Sequence, residues 1–438
     1  MSDAKPISRR QMLVMFGRTA LVCPLLNMPM IGLSCGGGPS GSKPASPPPL
    51  SDDHLLDQVE RSAFLYFWEQ ASARTGQVKD RALAAGNDTR AVSSIAATGF
   101  GLSALCIGDQ RGYMDSPQIK SRVATTLNFL WNQLPNQNGF FHHFIDMNMG
   151  SRAFNSEISS IDTAILLCGV LTCRQHFKDP RIQSLATQIY QRVNWPWMLN
   201  GGTTFSMGWK PESGFVNARW DTYNESMMLY LLGIGSPTNP IPASSWRAFT
   251  RPPFTYKGLT YITTTAPLFI HQYSHAWFDF RSKRDSFASY FENSVTATQA
   301  HKLFCLSLRN RFSDYQDKLW GITASDSVNG YVAWGGPPLL GPIDGTVVPC
   351  AAGGSLPFVP ADCITALRNI RNEFPKAWHR YGFVDAFNPL TGWYDPDVIG
   401  IDLGITMLMA ENHRTGFVWD TFMKNPEARA AMAAVGFK

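Results

Sequence analysis

Charge is scarce in this 438-residue chain: only 16% of residues are charged, for a formal net charge of +5. Before residue 35, Lys5, Arg9, Arg10 and Arg18 face a single acid, Asp3, so that surplus of three leaves about +2 for the rest. A balance that small gives no electrostatic footprint for nucleic acid, and that class of partner is excluded. The chain also has no GxSxG elbow, no GxGxxG after a strand, no Walker A run and no HExxH. Serine-hydrolase, dinucleotide, nucleotide and zincin chemistry therefore lack their signatures. No CxxC or clustered Cys/His spacing marks a metal site, and neither metal nor organic cofactor is expected. The only extended apolar stretch near the N-terminus is broken by Arg18, two prolines and Asn27, which argues against a permanent membrane span.

That first stretch reads as an address. Ser8-Arg9-Arg10-Gln11-Met12-Leu13 resembles a twin-arginine export signal. Gly32-Leu33-Ser34-Cys35 resembles a lipoprotein box with Cys35 as the lipidated residue; Gly32 stands where leucine is usual, so ordinary cleavage nearby is the alternative. Residues 36–50 are dense in Gly, Ser and Pro and read as a tether. The expected layout is an export signal with lipobox over 1–35, a tether over 36–50 and a single catalytic domain over 51–438, exported to the periplasm or anchored there by lipid. Six cysteines follow the leader, several in apolar runs that suit buried thiols; Cys350 and Cys363 flank a loop and are the candidate pair for a disulfide in an oxidising compartment.

From Ser51 on, helical periodicity dominates, as in Leu55, Val59, Phe64 and Phe67 behind capping residues. Further helices are predicted near 91–107, 116–134, 157–177, 181–193, 221–234, 284–311, 361–374 and 403–414. Few runs alternate with the period of two that strands need. Helices joined by long Gly-, Asn- and Trp-rich loops predict an all-α toroid in which loops at one end build a cleft.

Those loops combine aromatics, 12% of the chain, with acids, amides, His and Arg. Sugars present C–H faces to aromatic rings and hydroxyls to polar groups. Cutting a glycosidic bond further requires two carboxyls, one protonating the leaving oxygen and one activating water or attacking. Five clusters supply candidates. Asp146 follows Phe-Phe-His-His-Phe-Ile and is either a site acid or an Asx turn. Glu157 and Asp162 open an apolar helix, Glu157 as either a site acid or a helix cap. Glu225 follows Trp220-Asp-Thr-Tyr223-Asn at the mouth of another apolar helix, in surroundings suited to a general acid. His275, Trp277, Asp279 and Arg281 form a fourth group, with Asp279 and Arg281 either binding sugar or making a structural ion pair. Asp402 stands at a helix entrance after an aromatic loop bearing Trp393, and Glu411 lies later in the same helix.

Together the segments SSIDTAILL (159–167), YNESMMLYLLGIGSP (223–237) and HAWFDFR (275–281) resemble the bacterial glucoamylase-like family whose characterised members are endo-β-1,2-glucanases of glycoside hydrolase family 144. WGITASD (320–326), DGTVVP (344–349), SLPFVP (355–360), AFNP (386–389), IDLG (401–404) and MAENHRTG (409–416) continue the resemblance in order. It implies an (α/α)6 barrel and hydrolysis with inversion. It also implies that Glu225 is the acid and Asp402 the opposing base, with Asp146 a further candidate for activating water. Glu157, Asp162, Trp220, Tyr223, His275, Trp277, Asp279, Arg281, Trp393 and Glu411 are then expected to shape the subsites. The expected substrate is a β-1,2-glucan, cut internally, by a monomeric enzyme that meets a membrane only through its lipid. The alternatives are an exo-acting or α-glucan hydrolase and a non-catalytic sugar-binding lipoprotein.

Overall fold

The computed structural model describes residues 51–264 and 267–438, so the expected export signal, Cys35 and the tether lie outside the described residues. Its principal helices are α1 (Asp52–Glu69), α2 (Ile95–Arg111), α3 (Ser116–Asn132), α4 (Ser160–His176), α5 (Pro180–Gln191) and α6 (Met227–Ile234). They continue as α7 (Tyr290–Ser307), α8 (Pro349–Gly353), α9 (Pro360–Glu373), α10 (Gly400–Arg414), α11 (Phe417–Phe422) and α12 (Pro426–Ala434).

Sequence composition separates two rings. Helix α5 buries Ile182, Ala186, Ile189 and Tyr190, a single stripe at helical spacing, and so belongs outside. Helix α4 buries every residue from Ser160 to Arg174, as a helix enclosed on all sides must. Through α10 the odd-numbered helices are outer and the even-numbered ones inner. Between α6 and α7 the outer place is held by a short helix, Ser245–Ala248, and the inner one by two 3-10 turns, Leu268–His271 and Tyr273–Ala276. These turns close the inner ring: Ser274 Oγ donates to the Glu225 carbonyl at 2.7 Å, and Gln272 Nε2 donates to the Ala351 carbonyl of α8 at 3.0 Å. The result is an (α/α)6 barrel, as the sequence predicts.

Glycine sets the closest approach in the ring. A Cβ on Gly169 of α4 would stand 2.1 Å from the Gly99 carbonyl oxygen of α2, and one on Gly99 would stand 2.5 Å from the Ile165 oxygen. Backbone meets backbone there, which only glycine allows.

All inner helices begin at the same end. Strands Val92–Ser94, Ile158–Ser159 and Asp397–Ile399 run directly into α2, α4 and α10. Ser94 and Ser159 cap their helices, accepting from the amides of Ala97 and Asp162. The all-α expectation needs one amendment here: the loops at this end carry short antiparallel ladders, including a five-stranded sheet spanning residues 136–215. Strands of two to four residues are too brief to show alternation in sequence. The six described cysteines are buried thiols, so Cys350 and Cys363 are not bridged. Among the described residues no helix is long and apolar enough to cross a membrane.

Candidate active site

The end where the inner helices begin collects the acids. Asp162 and Asp402 lie in the first turns of α4 and α10, where the positive end of the helix dipole favours a carboxylate. Glu225 lies just before α6, buried at 6% exposure, in a turn where Asn224 Oδ1 accepts from the Ser226 amide. That turn also explains why α6 starts at Met227 and not near 221. In the order of the inner ring, α6 and α10 are opposite members, so Glu225 and Asp402 come from facing sides.

Two clusters join residues far apart in sequence. In the first, His143 Nδ1 stands 3.4 Å from Glu157 Oε1 and 3.7 Å from Asp162 Oδ2, while Ser159 Oγ donates to Asp162. A Cβ on Gly208 would meet the Glu157 side chain at 2.7 Å, so the neighbouring strand holds that carboxylate in place. In the second, Asp326, Asp385 and Asp395 are all buried, with oxygens within 4.8 Å of one another. The Asp326 amide donates to Asp385 Oδ2 at 2.7 Å, Arg81 pairs with Asp326, and Arg90 clamps Asp397 through two bonds of 2.7 Å each. Burial pushes the Asp385 carboxyl well above the usual carboxylate range, and Asp402, Asp326 and Asp395 reinforce this. Burial, then Asp326, pushes Asp395 up to about 8. Either cluster has a donor set suited to a hard divalent cation, a possibility the Cys/His spacing gave no hint of.

Asp402 also borders a cavity of about 20 Å³ between α1, α8 and α10, which it shares with Asp385, Tyr381 and Thr406. Asp402 and Asp385 thus lie side by side in the barrel wall.

Several expected site residues lie elsewhere. Trp220 is buried, donating to Ser160 Oγ at 2.9 Å, and Tyr223 is buried with its hydroxyl 3.2 Å from His271 Nδ1. Trp277 is fully buried against Phe100 and donates to Ser103 Oγ at 2.9 Å. His275 is enclosed by Phe280, Phe291 and Phe358, and burial pushes its pKa down to about 3. These four are core, not subsite walls: an aromatic run beside a loop is also what a buried turn looks like. Asp279 and Arg281 pair with each other at the opposite end, where Arg281 lies over Trp419. Glu411 is nine residues beyond Asp402 on α10, about 13 Å further along the axis, and binds Arg111 at 2.8 Å. Asp146 caps a turn, its Oδ1 accepting from the Asn148 and Met149 amides at 2.9 and 2.8 Å, so the Asx-turn reading is the one observed.

Glu225, Glu157, Asp162, Asp402 and the half-buried Trp393 stay at the acidic end. Sequence reasoning missed His143, Arg81, Arg90, Asp326, Asp385, Asp395 and Asp397. It also missed Phe154, 48% exposed beside Phe144 and held at φ +53°, an unusual conformation for a bulky residue.

A family model described as "Putative glucoamylase" matches residues 217–426. The exo-β-1,2-glucooligosaccharide sophorohydrolase (non-reducing end) of Parabacteroides distasonis is 28% identical over 427 residues. That alignment covers 88% of this chain but 58% of the relative, so the chain spans little more than half the relative's length. The endo-β-1,2-glucanase from Chitinophaga pinensis, solved with sophorotriose and glucose, superposes with a TM-score of 0.82 at 28% identity, covering 89% of this chain and 99% of that one. The β-1,2-glucanase structure from Parabacteroides distasonis gives 0.82 at 26% identity, covering 89% and 60%.

Proposed function

We propose that this chain, which is similar to the glucoamylase-like family model over residues 217–426 and to β-1,2-glucanases over most of its length, is a glycoside hydrolase acting on β-1,2-linked glucan with inversion at the anomeric carbon. The observation that carries the reading is the pair of buried carboxyls, Glu225 and Asp402, on opposite members of the inner ring at the end where acids gather. Glu225 protonates the departing oxygen. Asp402, with Asp385 holding a proton against it, takes the proton of the attacking water. Glu157, Asp162 and His143 face sugar hydroxyls, while Trp393 and Phe154 offer rings to sugar faces.

Both modes of attack have support among the relatives: the Chitinophaga protein is an endo-glucanase and the curated Parabacteroides one an exo-acting sophorohydrolase. We favour internal cleavage. Purified protein with long β-1,2-glucan is expected to release a ladder of oligosaccharides, with the α-anomer appearing first by NMR. Sophorose alone from the first minutes replaces endo by exo action; early β-anomer ends the inverting mechanism; starch cleavage without β-1,2-glucan cleavage ends the substrate reading. We further propose that residues 1–50 export and tether the enzyme through Cys35.

A further inference from the structure

We propose that the barrel has a second sugar-binding site at the end opposite the acids, in a depression of about 450 Å³ where α2, α4 and α10 finish and α11 begins. The volume lies within the range of pockets that hold small ligands. Phe417 supplies a half-buried ring, set edge-to-face with His176 at 5.5 Å. Around it stand Gln110, Gln175, Asp420 and Lys424. Gln175 gives its Nε2 to Asn425 Oδ1 at 2.9 Å, which orients its amide.

The chemistry of the lining selects the ligand class. The ionic groups nearest the bottom are already matched: Arg111 to Glu411 at 2.8 Å and His176 to Asp109 at 2.6 Å. Three inner helices point their C-termini here, and the negative ends of their dipoles disfavour an anion. A cation finds no unshared carboxylate at the bottom, because Glu411 holds both Arg111 and Thr415. What remains is a ring face amid two amides, Thr421, the lysines Lys178 and Lys424 and one aspartate. That set of mixed donors and acceptors beside an apolar plate fits a neutral polyhydroxylated ligand whose C–H face covers Phe417 and whose hydroxyls meet the rim. Such a site would hold a glucan while another stretch of chain occupies the acidic end.

Naming the ligand a β-1,2-glucoside rests on the proposed function; that the pocket takes a sugar does not. Titration calorimetry of the full protein with sophorose, cellobiose and maltose tests both. Phe417→Ala and, separately, the rim variant Asp420→Ala/Lys424→Ala are compared with the unaltered protein, each checked for its melting temperature. Sophorose is expected to show a binding component weakened at least tenfold in both variants, with kcat on short β-1,2-gluco-oligosaccharides unchanged. If cellobiose or maltose shows that component and sophorose does not, the second site stands and the linkage reading falls. If no disaccharide shows binding sensitive to either variant, the second site is refuted whatever the enzyme cleaves.

Discussion

Asp385 and Asp402 line one small cavity together, and burial, reinforced by the Asp402 charge, holds the Asp385 carboxyl well above the usual carboxylate range. Burial thus favours the protonated form of Asp385, and Asp402 is the neighbouring carboxylate we propose as the base. Asp402→Asn should lower kcat on β-1,2-glucan by about 10²–10⁴-fold, the usual contribution of general acid–base catalysis. Glu225→Gln should fall by a similar factor but recover in part on an aryl glycoside, whose leaving group needs little protonation. Glu411→Gln, at the far end, should change melting temperature and leave kcat within a few-fold. Kinetics on the two substrates separate these outcomes, and an active Glu225→Gln on the natural glucan would move the acid elsewhere.

The crowd of acids makes stability depend on pH in a definite direction. Asp395 has its pKa raised from 3.8 to about 8, so the folded state prefers the protonated form. Its contribution is complete below about pH 4 and fades as pH rises through about 8. The melting temperature should therefore decline between pH 5 and 9, and Asp395→Asn, which cannot ionise, should flatten part of that decline. An identical slope in the variant would mean that Asp395 is ionised in the fold.

The contact between Gly99 and Gly169 admits no side chain. Gly169→Ala places a carbon about 2 Å from a carbonyl oxygen, forcing α2 and α4 apart. Overpacking of this kind costs about 1–3 kcal/mol, and a lower denaturation midpoint with unchanged m-value is expected. Gly112→Ala makes a useful contrast: no atom stands within 4 Å of its added carbon, but its φ of +67° makes alanine strained for a different reason.

Export is tested in the cell. Arg9→Lys with Arg10→Lys should hold the protein in the cytoplasm, and Cys35→Ala should release it from the membrane fraction. Continued export in the first case, or continued membrane attachment in the second, removes the corresponding proposal.

The fold was readable because helix periodicity is long-range and redundant: six of the eight helix ranges predicted from spacing reappear within four residues of their expected bounds, and the other two, 221–234 and 284–311, begin six residues later than expected. The site was readable only in part. Glu225, Glu157, Asp162 and Asp402 stand just before or just inside apolar helices, and that junction is visible in sequence. Asp326, Asp385 and Asp395 come from two separate loops and have meaning only once α8, α10 and their strands bring them within 4.8 Å. His275 and Trp277 misled because a buried inner turn and an aromatic subsite share a composition. Only the ring tells them apart, by showing Trp277 bonded to Ser103 inside the barrel.

The beginning of α1 has a geometric consequence. Asp53 pairs with Arg414, the last residue of α10, at 2.9 Å, so the chain joins the barrel at the pole away from Glu225 and Asp402. If residues 1–50 tether the enzyme as proposed, the pull falls on that pole and the acidic mouth faces the other way.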